Sequence, residues 1–438
     1  MNKSEKFNYL KFLIFLFFSV IVLFSFRIDL TYKFSLNMFF VFLVFIIIIW
    51  IAYFTKKKSL FSIIINNLLV LIFLNLILTP IFHKVTFDIP SRSPNYKIEK
   101  IYDSKFFEGM FYGKHVISSD EKGNRSSTFY KGKKLDEKIS YEDKNRNTIR
   151  IFTIGASTTE GGSTDDYKTW SSLTGQKISL KTNKKVEVIN TGMAGLRSKH
   201  HFYKFQRIQK YKPDLIIFLT GINDWNHHIV NEKKNYLLPW LEINFYFKNS
   251  IIFKTFNNFK KQLKRKFLRD NHLANKKNTP ISAELDTEAY LIPQINSLEI
   301  RNLKRDFSTN LVSQDYAYWM EQIFKECNAQ NFTCIFMDQP TAYQEKISEK
   351  LKKRLWMTPP NQDYTLTFDN LIKVSSLYNK WLSSKVSEKK LYFCPLSSKF
   401  KPETSYFIDD CHFTEGGSQK VSQILTSCIY SNFNLILN

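Results

Sequence analysis

The chain of 438 residues has five cysteines and no Cys-x-x-Cys pair among them. That argues against a structural zinc site and against a thioredoxin-like redox motif. Zinc-finger spacing and nucleic-acid motifs are also lacking. Nucleic acid is therefore the weakest of the partners that a net charge of +24 would suit, behind anionic headgroups and acidic glycans. The stretch IRIFTIGASTTEGG at 149–162 looks like a phosphate loop but carries no lysine to reach a phosphate. Its glycines do not fit G-x-G-x-x-G, and Thr159 stands where an α/β-hydrolase elbow needs glycine. No cofactor and no metal is expected. Cys327 and Cys334 are close enough to bridge if the compartment is oxidising, whereas Cys394, Cys411 and Cys428 read as buried small residues.

What is present is sharply divided along the chain. Mean hydropathy is −0.26, yet residues 1–83 are almost entirely apolar. Three runs, Tyr9 to Phe26, Phe34 to Thr55 and Ser59 to Phe82, hold a single charge between them, Lys11, near an end where it can snorkel. Each is long enough to cross about 30 Å of hydrocarbon at about 1.5 Å per residue. Three transmembrane helices are the expectation. The first run has no small-x-small cleavage site and two further spans follow it, so it does not read as a signal peptide. Lys3, Lys6 and Lys11 precede the first span, and Lys56, Lys57 and Lys58 fill the loop before the third; only Arg27 and Lys33 lie in the loop between. The positive-inside rule then keeps the N-terminus in the cytoplasm and sends everything after about Phe82 to the periplasm or cell exterior.

Residues 84–147, polar and holding Pro90 and Pro94, read as a linker and lead-in. From 148 to 438 strands alternate with helices. Strands are expected at 149–155, 186–192, 214–221 and 332–340, with LYFCPL as a fifth. Helices are expected at DYKTWSSLTGQKI, at 196–212, at DYAYWMEQIFKECNAQ and from Gly417 to Asn432. Such alternation means an α/β fold with a parallel sheet covered on both faces, flavodoxin-like and three-layered. Insertions are read at about 226–310 and 341–388. The first contains the basic amphipathic stretch FKNSIIFKTFNNFKKQLKRKFLRD, which suits either solvent or anionic headgroups. His200, His201, His227 and His228 form two adjacent pairs read as surface or loop residues, with one of the second pair a remote candidate for touching substrate.

Function gathers at the carboxyl ends of such strands, and three of them carry GAST, NTGMAG and TGIND. Near the C-terminus YFIDDCHFTEGG sets Asp409 three residues before His412. On a loop that spacing lets a carboxylate accept from one imidazole nitrogen while the other faces outward as a general base. Ser157 is then a nucleophile candidate. The Ser157 amide, the Gly195 amide and the Asn223 side chain are oxyanion donors, since glycine lets backbone approach and an amide donates without charge.

These blocks resemble the SGNH (GDSL-type) hydrolase family, whose name lists its Ser, Gly, Asn and His. They stand here in family order as GAST with Ser157, INTGMAG ending at Gly195, GIND with Asn223, and DDCH with Asp409 and His412. Ala156 replaces the Asp of the family's first block, which is not a triad member. The resemblance covers roughly 148–225 and 315–432, and its spacing favours Asp409 over Asp410 as the histidine's partner. It implies a serine esterase or O-acyltransferase; joined to the three expected spans and the outside placement, the expectation is a membrane-anchored enzyme acting on O-acetyl or acyl esters of extracytoplasmic or lipid-linked glycans. A lipid acylhydrolase and a non-catalytic envelope assembly factor on a hydrolase fold are the alternatives.

Overall fold

The computed structural model describes residues 91–231 and 303–432, apart from short stretches between 103 and 146, at 308–309 and between 356 and 363. The three expected membrane spans and the basic amphipathic stretch lie outside the described residues. Among the described residues no helix is long and apolar enough to cross a membrane.

Strands β1 (Lys97–Tyr102), β2 (Gly113–Ser118), β3 (Arg125–Tyr130) and β4 (Lys133–Leu135) come first. The alternating region follows. It comprises β5 (Thr148–Gly155), α1 (Ser157–Glu160), α2 (Trp170–Thr182), β6 (Lys185–Asn190), α3 (Ser198–Ile208), β7 (Leu215–Leu219) and α4 (Ile222–Asn231). Beyond 303 come β8 (Leu303–Arg305), α5 (Gln314–Asn328), β9 (Thr333–Met337), α6 (Glu349–Lys352), β10 (Tyr364–Leu366), α7 (Phe368–Glu388), β11 (Tyr392–Cys394) and α8 (Glu415–Ser431).

One seven-stranded sheet runs β11-β9-β7-β5-β6-β3-β4. Its five strands from β11 to β6 are all parallel. Counted in chain order they stand 2-1-3-4-5, the flavodoxin-like arrangement. β5 and β7 are buried at every position, as apolar strands of a parallel sheet covered on both faces must be. Phe218 of β7 stacks on Phe336 of β9 with centroids 4.8 Å apart, and Phe205 of α3 and Phe324 of α5 pack edge-on against that pair. Helix starts are set by hydroxyl caps. Thr169 accepts from the Ser172 amide, so DYKT stays outside α2, and Ser313 and Thr414 cap α5 and α8 in the same way.

Three readings of the sequence change. The stretch 84–147 is more than a linker: β3 pairs antiparallel with β6, from Arg125 opposite Asn190 to Phe129 opposite Val186, and β4 extends the sheet. Its polar composition hid this in the sequence. The supposed insertion 341–388 contains α7, the crossover from β9 to β11, which buries Leu371, Val374, Tyr378, Leu382 and Val386. The two insertions also meet, for β8 and β10 pair in parallel and the Arg305 guanidinium lies 3.7 Å from the Tyr364 ring centre.

The cysteines depart from expectation in one pair: Cys327 and Cys334 bridge as their spacing allowed and Cys411 is a buried small residue, but Cys394 and Cys428 also bridge. Cys327–Cys334 ties the end of α5 to β9, and Cys394–Cys428 ties β11 to α8. Only Cys411 is free and buried. The second bridge spans 34 residues, so nothing in local spacing announces it.

Candidate functional site

The turn after β5 is built for close packing. A Cβ on Gly155 would stand 2.0 Å from Thr159 Oγ1 and 2.5 Å from the Leu219 carbonyl oxygen, so only glycine fits. The chain then enters α1, where the Glu160 amide donates to the Ala156 carbonyl and Gly161 closes the turn at φ +61°. From 148 to 160 every residue is buried except Ser157. The turn thus presents one hydroxyl. Trp170 Nε1 donates to the Thr158 carbonyl at 3.0 Å, and Thr158 Oγ1 meets Gln339 Oε1 at 3.3 Å. These bonds fix α1 against α2 and against the segment leaving β9.

Gly195 lies in the β6–α3 loop at φ +77°, a conformation that other residues adopt only under strain. Nothing stands within 4 Å of where its Cβ would be. Asn223, the second residue of α4, is the one part-exposed residue between Leu215 and Asn226, and its Nδ2 donates to the Leu196 carbonyl at 3.0 Å. The structure therefore joins the glycine and asparagine blocks directly. Asp224 reinforces the joint by accepting from the Ser198 amide at 3.0 Å and the Ser198 hydroxyl at 2.6 Å. Burial raises its carboxyl to about 7 against the opposing pull of those bonds.

On the loop before α8, Asp409 Oδ2 lies 2.8 Å from His412 Nδ1, and Oδ1 accepts from the backbone amides of Cys411 and His412 at 3.0 and 2.9 Å. Asp410 is engaged elsewhere: its carboxylate accepts from the Tyr343 hydroxyl and its carbonyl from the Ala342 amide. Burial opposes a charged imidazole at His412, but the Asp409 carboxylate outweighs it and holds the histidine well above its ordinary pKa. Burial likewise works against ionised Asp409, and the His412 charge with the hydrogen bonds overcomes it. The segment 339–343 links this loop to the serine turn, touching Thr158 through Gln339 and Asp410 through Ala342.

Asp409, Cys411 and His412 have potential metal-binding atoms within 4.8 Å of one another. The donor set does not fit an ion. The Asp409 oxygens are already taken by two amides and the imidazole, and burial pushes the Cys411 thiol up to about 11, away from the thiolate a metal needs.

The two adjacent histidine pairs are not loop residues, although His200, His227 and His228 stay part-exposed. All lie in α3 or α4. His201 is fully buried, and burial lowers its pKa well below the ordinary value. His200 Nδ1 accepts from the Arg197 amide at the start of α3, and His228 Nδ1 is 2.9 Å from the Tyr378 hydroxyl. Sequence reasoning missed Glu160 and Asp224, although both stand inside the blocks it singled out.

Polar groups gathered at the carboxyl edge of a parallel α/β sheet are the frame of many hydrolases. The sequence narrows that class. The model of the GDSL-like lipase/acylhydrolase family matches residues 151–425, and the chain belongs to this family of ester-hydrolysing enzymes. Among solved structures, the chain is similar to a putative lipolytic protein of the G-D-S-L family from Desulfitobacterium hafniense, at 11% identity over 64% of this chain and 98% of that one, TM-score 0.33. A putative acylhydrolase from Bacteroides fragilis is similar at 14% identity over 66% and 89%, TM-score 0.33. An acetylxylan esterase from Geobacillus stearothermophilus is similar at 10% identity over 64% and 94%, TM-score 0.36. No curated protein matches the chain.

Proposed function

We propose that the chain is a membrane-anchored serine esterase or O-acyltransferase that acts on O-acetyl or acyl esters of extracytoplasmic or lipid-linked glycans. The Asp409–His412 pair carries this reading, with the imidazole oriented at 2.8 Å by a carboxylate locked by two backbone amides. In the mechanism Asp409 holds the proton on Nδ1. Nε2 takes the Ser157 hydroxyl proton as the oxygen attacks the ester carbonyl. The oxyanion receives hydrogen bonds from the Ser157 and Gly195 amides and from Asn223 Nδ2, which has a second hydrogen beyond the one given to Leu196. His412 then protonates the leaving alkoxide. Water resolves the acyl-enzyme in an esterase and a sugar hydroxyl resolves it in a transferase, with the same residues serving both.

Two disulfides support an oxidising compartment. That agrees with the placement which the lysines flanking the three apolar runs suggest. A reporter fused after Asn438 should be active only when it matures outside the cytoplasm; a cytoplasmic signal would sink the placement. The basic stretch in the 226–310 insertion favours the second reading, a lipid acylhydrolase.

The test is covalent labelling of the full chain in detergent by a fluorophosphonate, with the adduct mapped by peptide mass. The expected result is a single adduct on Ser157, with acetyl esters of p-nitrophenol turned over faster than long-chain ones. Faster turnover of long chains favours the lipid reading. Absence of any adduct favours a non-catalytic assembly factor.

A further inference from the structure

The family match begins at 151, yet residues ahead of it reach the site. Glu160, the last residue of α1, points a nearly buried carboxylate between two partners. Its Oε1 accepts from Arg92 Nε at 2.9 Å and from Arg92 Nη2. Its Oε2 accepts from the Ala194 amide at 2.8 Å. Ala194 immediately precedes Gly195.

We propose that Arg92 is a positioning residue for the Gly195 amide, acting through Glu160. The proposal rests on the reading of Gly195 as an oxyanion donor. Packing does not restrain Gly195, because the space beside its α-carbon is open. The ties on either side must do so. Glu160 holds the amide before it, and Asn223 Nδ2 holds the Leu196 carbonyl after it at 3.0 Å. A carboxylate as buried as that of Glu160 is unfavourable without a counter-charge, and a guanidinium gripping it through two nitrogens supplies both charge and direction.

Arg92 is itself held in place. A Cβ on Gly123, at φ +80°, would stand 2.4 Å from the Arg92 carbonyl oxygen, so that turn lies flat on the segment. The Asn95 amide donates to the Asp120 carbonyl, and the Ser119 amide to that of Tyr96. These bonds lace residues 92–96 to the β2–β3 turn. β3 in turn pairs with β6, whose end opens the Gly195 loop. Arg125 of β3 steadies the same corner through the Glu160 and Thr164 carbonyls and Asp166. Arg125 grips the Glu160 and Thr164 backbone and the Asp166 carboxylate, whereas Arg92 grips the Glu160 carboxylate that reaches Ala194.

The experiment measures kcat and KM for p-nitrophenyl acetate, with melting temperature, on the full chain carrying Arg92→Met, Arg92→Lys, Glu160→Gln, Glu160→Ala and the Arg92→Met/Glu160→Ala double substitution. Glu160→Ala should lower kcat by about 10–100-fold, below the loss of an oxyanion donor itself, with KM changed by less than about threefold. Glu160→Gln keeps an oxygen for the Ala194 amide and should recover much of the loss. Arg92→Lys should likewise exceed Arg92→Met. The double variant should be no slower than Glu160→Ala, since both substitutions break one relay. Wild-type kcat in Arg92→Met overturns the proposal, as do additive losses or a fall in melting temperature with kcat unchanged. If Arg92→Met does not fold, the Glu160→Gln and Glu160→Ala pair decides: equal kcat in the two overturns it. Ser157→Ala in parallel separates the two levels, because full activity in that variant removes the underlying reading rather than this one alone.

Discussion

Ser157→Ala is expected to lower kcat for p-nitrophenyl acetate by about 10⁵-fold or more, to leave KM near the wild-type value, and to abolish fluorophosphonate labelling. The size follows from the site's economy of nucleophiles. Ser157 is the only residue of the β5–α1 turn that reaches solvent, and Thr158 and Thr159 beside it are buried. No neighbouring hydroxyl can substitute from the same turn. The change removes one oxygen from a part-exposed position, so melting temperature should barely move. Turnover equal to the wild type would show that the turn is structural and that the hydrolysis belongs elsewhere.

Asp409→Asn should lower kcat/KM by about 10³–10⁴-fold and shift its pH profile. In the wild type, kcat/KM should rise with pH as His412 loses its proton, with a midpoint above 6.5 because Asp409 raises the imidazole's pKa. Removing the negative charge moves that midpoint down. Asparagine can also turn a donor toward Nδ1, leaving the tautomer that cannot accept the serine proton on Nε2. An unchanged midpoint would mean that Asp409 does not set the charge of His412.

The same pair makes a stability signature of defined sign. His412 has a raised folded pKa, so its contribution is complete below 6.5 and fades as pH rises through the folded value. Asp409 has a lowered one, so its contribution is complete above 3.8 and fades as pH falls through the folded value. The stability lost in Asp409→Asn should therefore peak between those limits and shrink in alkali. Activity and pair stability are thus opposed: the imidazole becomes a base as its ion pair with Asp409 dissolves.

Much of the candidate site was legible because the chemistry proposed for it demands particular residue types at particular places. A small residue must let the chain turn sharply under the serine, and Gly155 does so against Leu219. The unbroken apolar run LIIFL reads as a strand buried on both faces, and it is β7. Asp409 and His412, three residues apart, could pair locally, and they do at 2.8 Å. The supports were less legible. Glu160 looked like one polar residue in a turn, and its role depends on Arg92, 68 positions away, and on Ala194, 34 positions away. His201 is buried although its neighbour His200 caps the helix, because adjacent helical positions face different ways.

Local pattern alone determined the parallel α/β architecture, the three blocks at its strand ends, and the short Asp409–His412 spacing near the C-terminus. Periodicity and short-range spacing are carried by neighbours along the chain, which any reader of the sequence can see. Tertiary structure decided the rest: that Cys394 meets Cys428, that α7 belongs to the core, and that the polar lead-in joins the sheet and reaches the serine turn. Each of these depends on contacts between segments far apart in sequence. Such contacts are selected by how the buried strands stack and register, and residue order by itself does not state that.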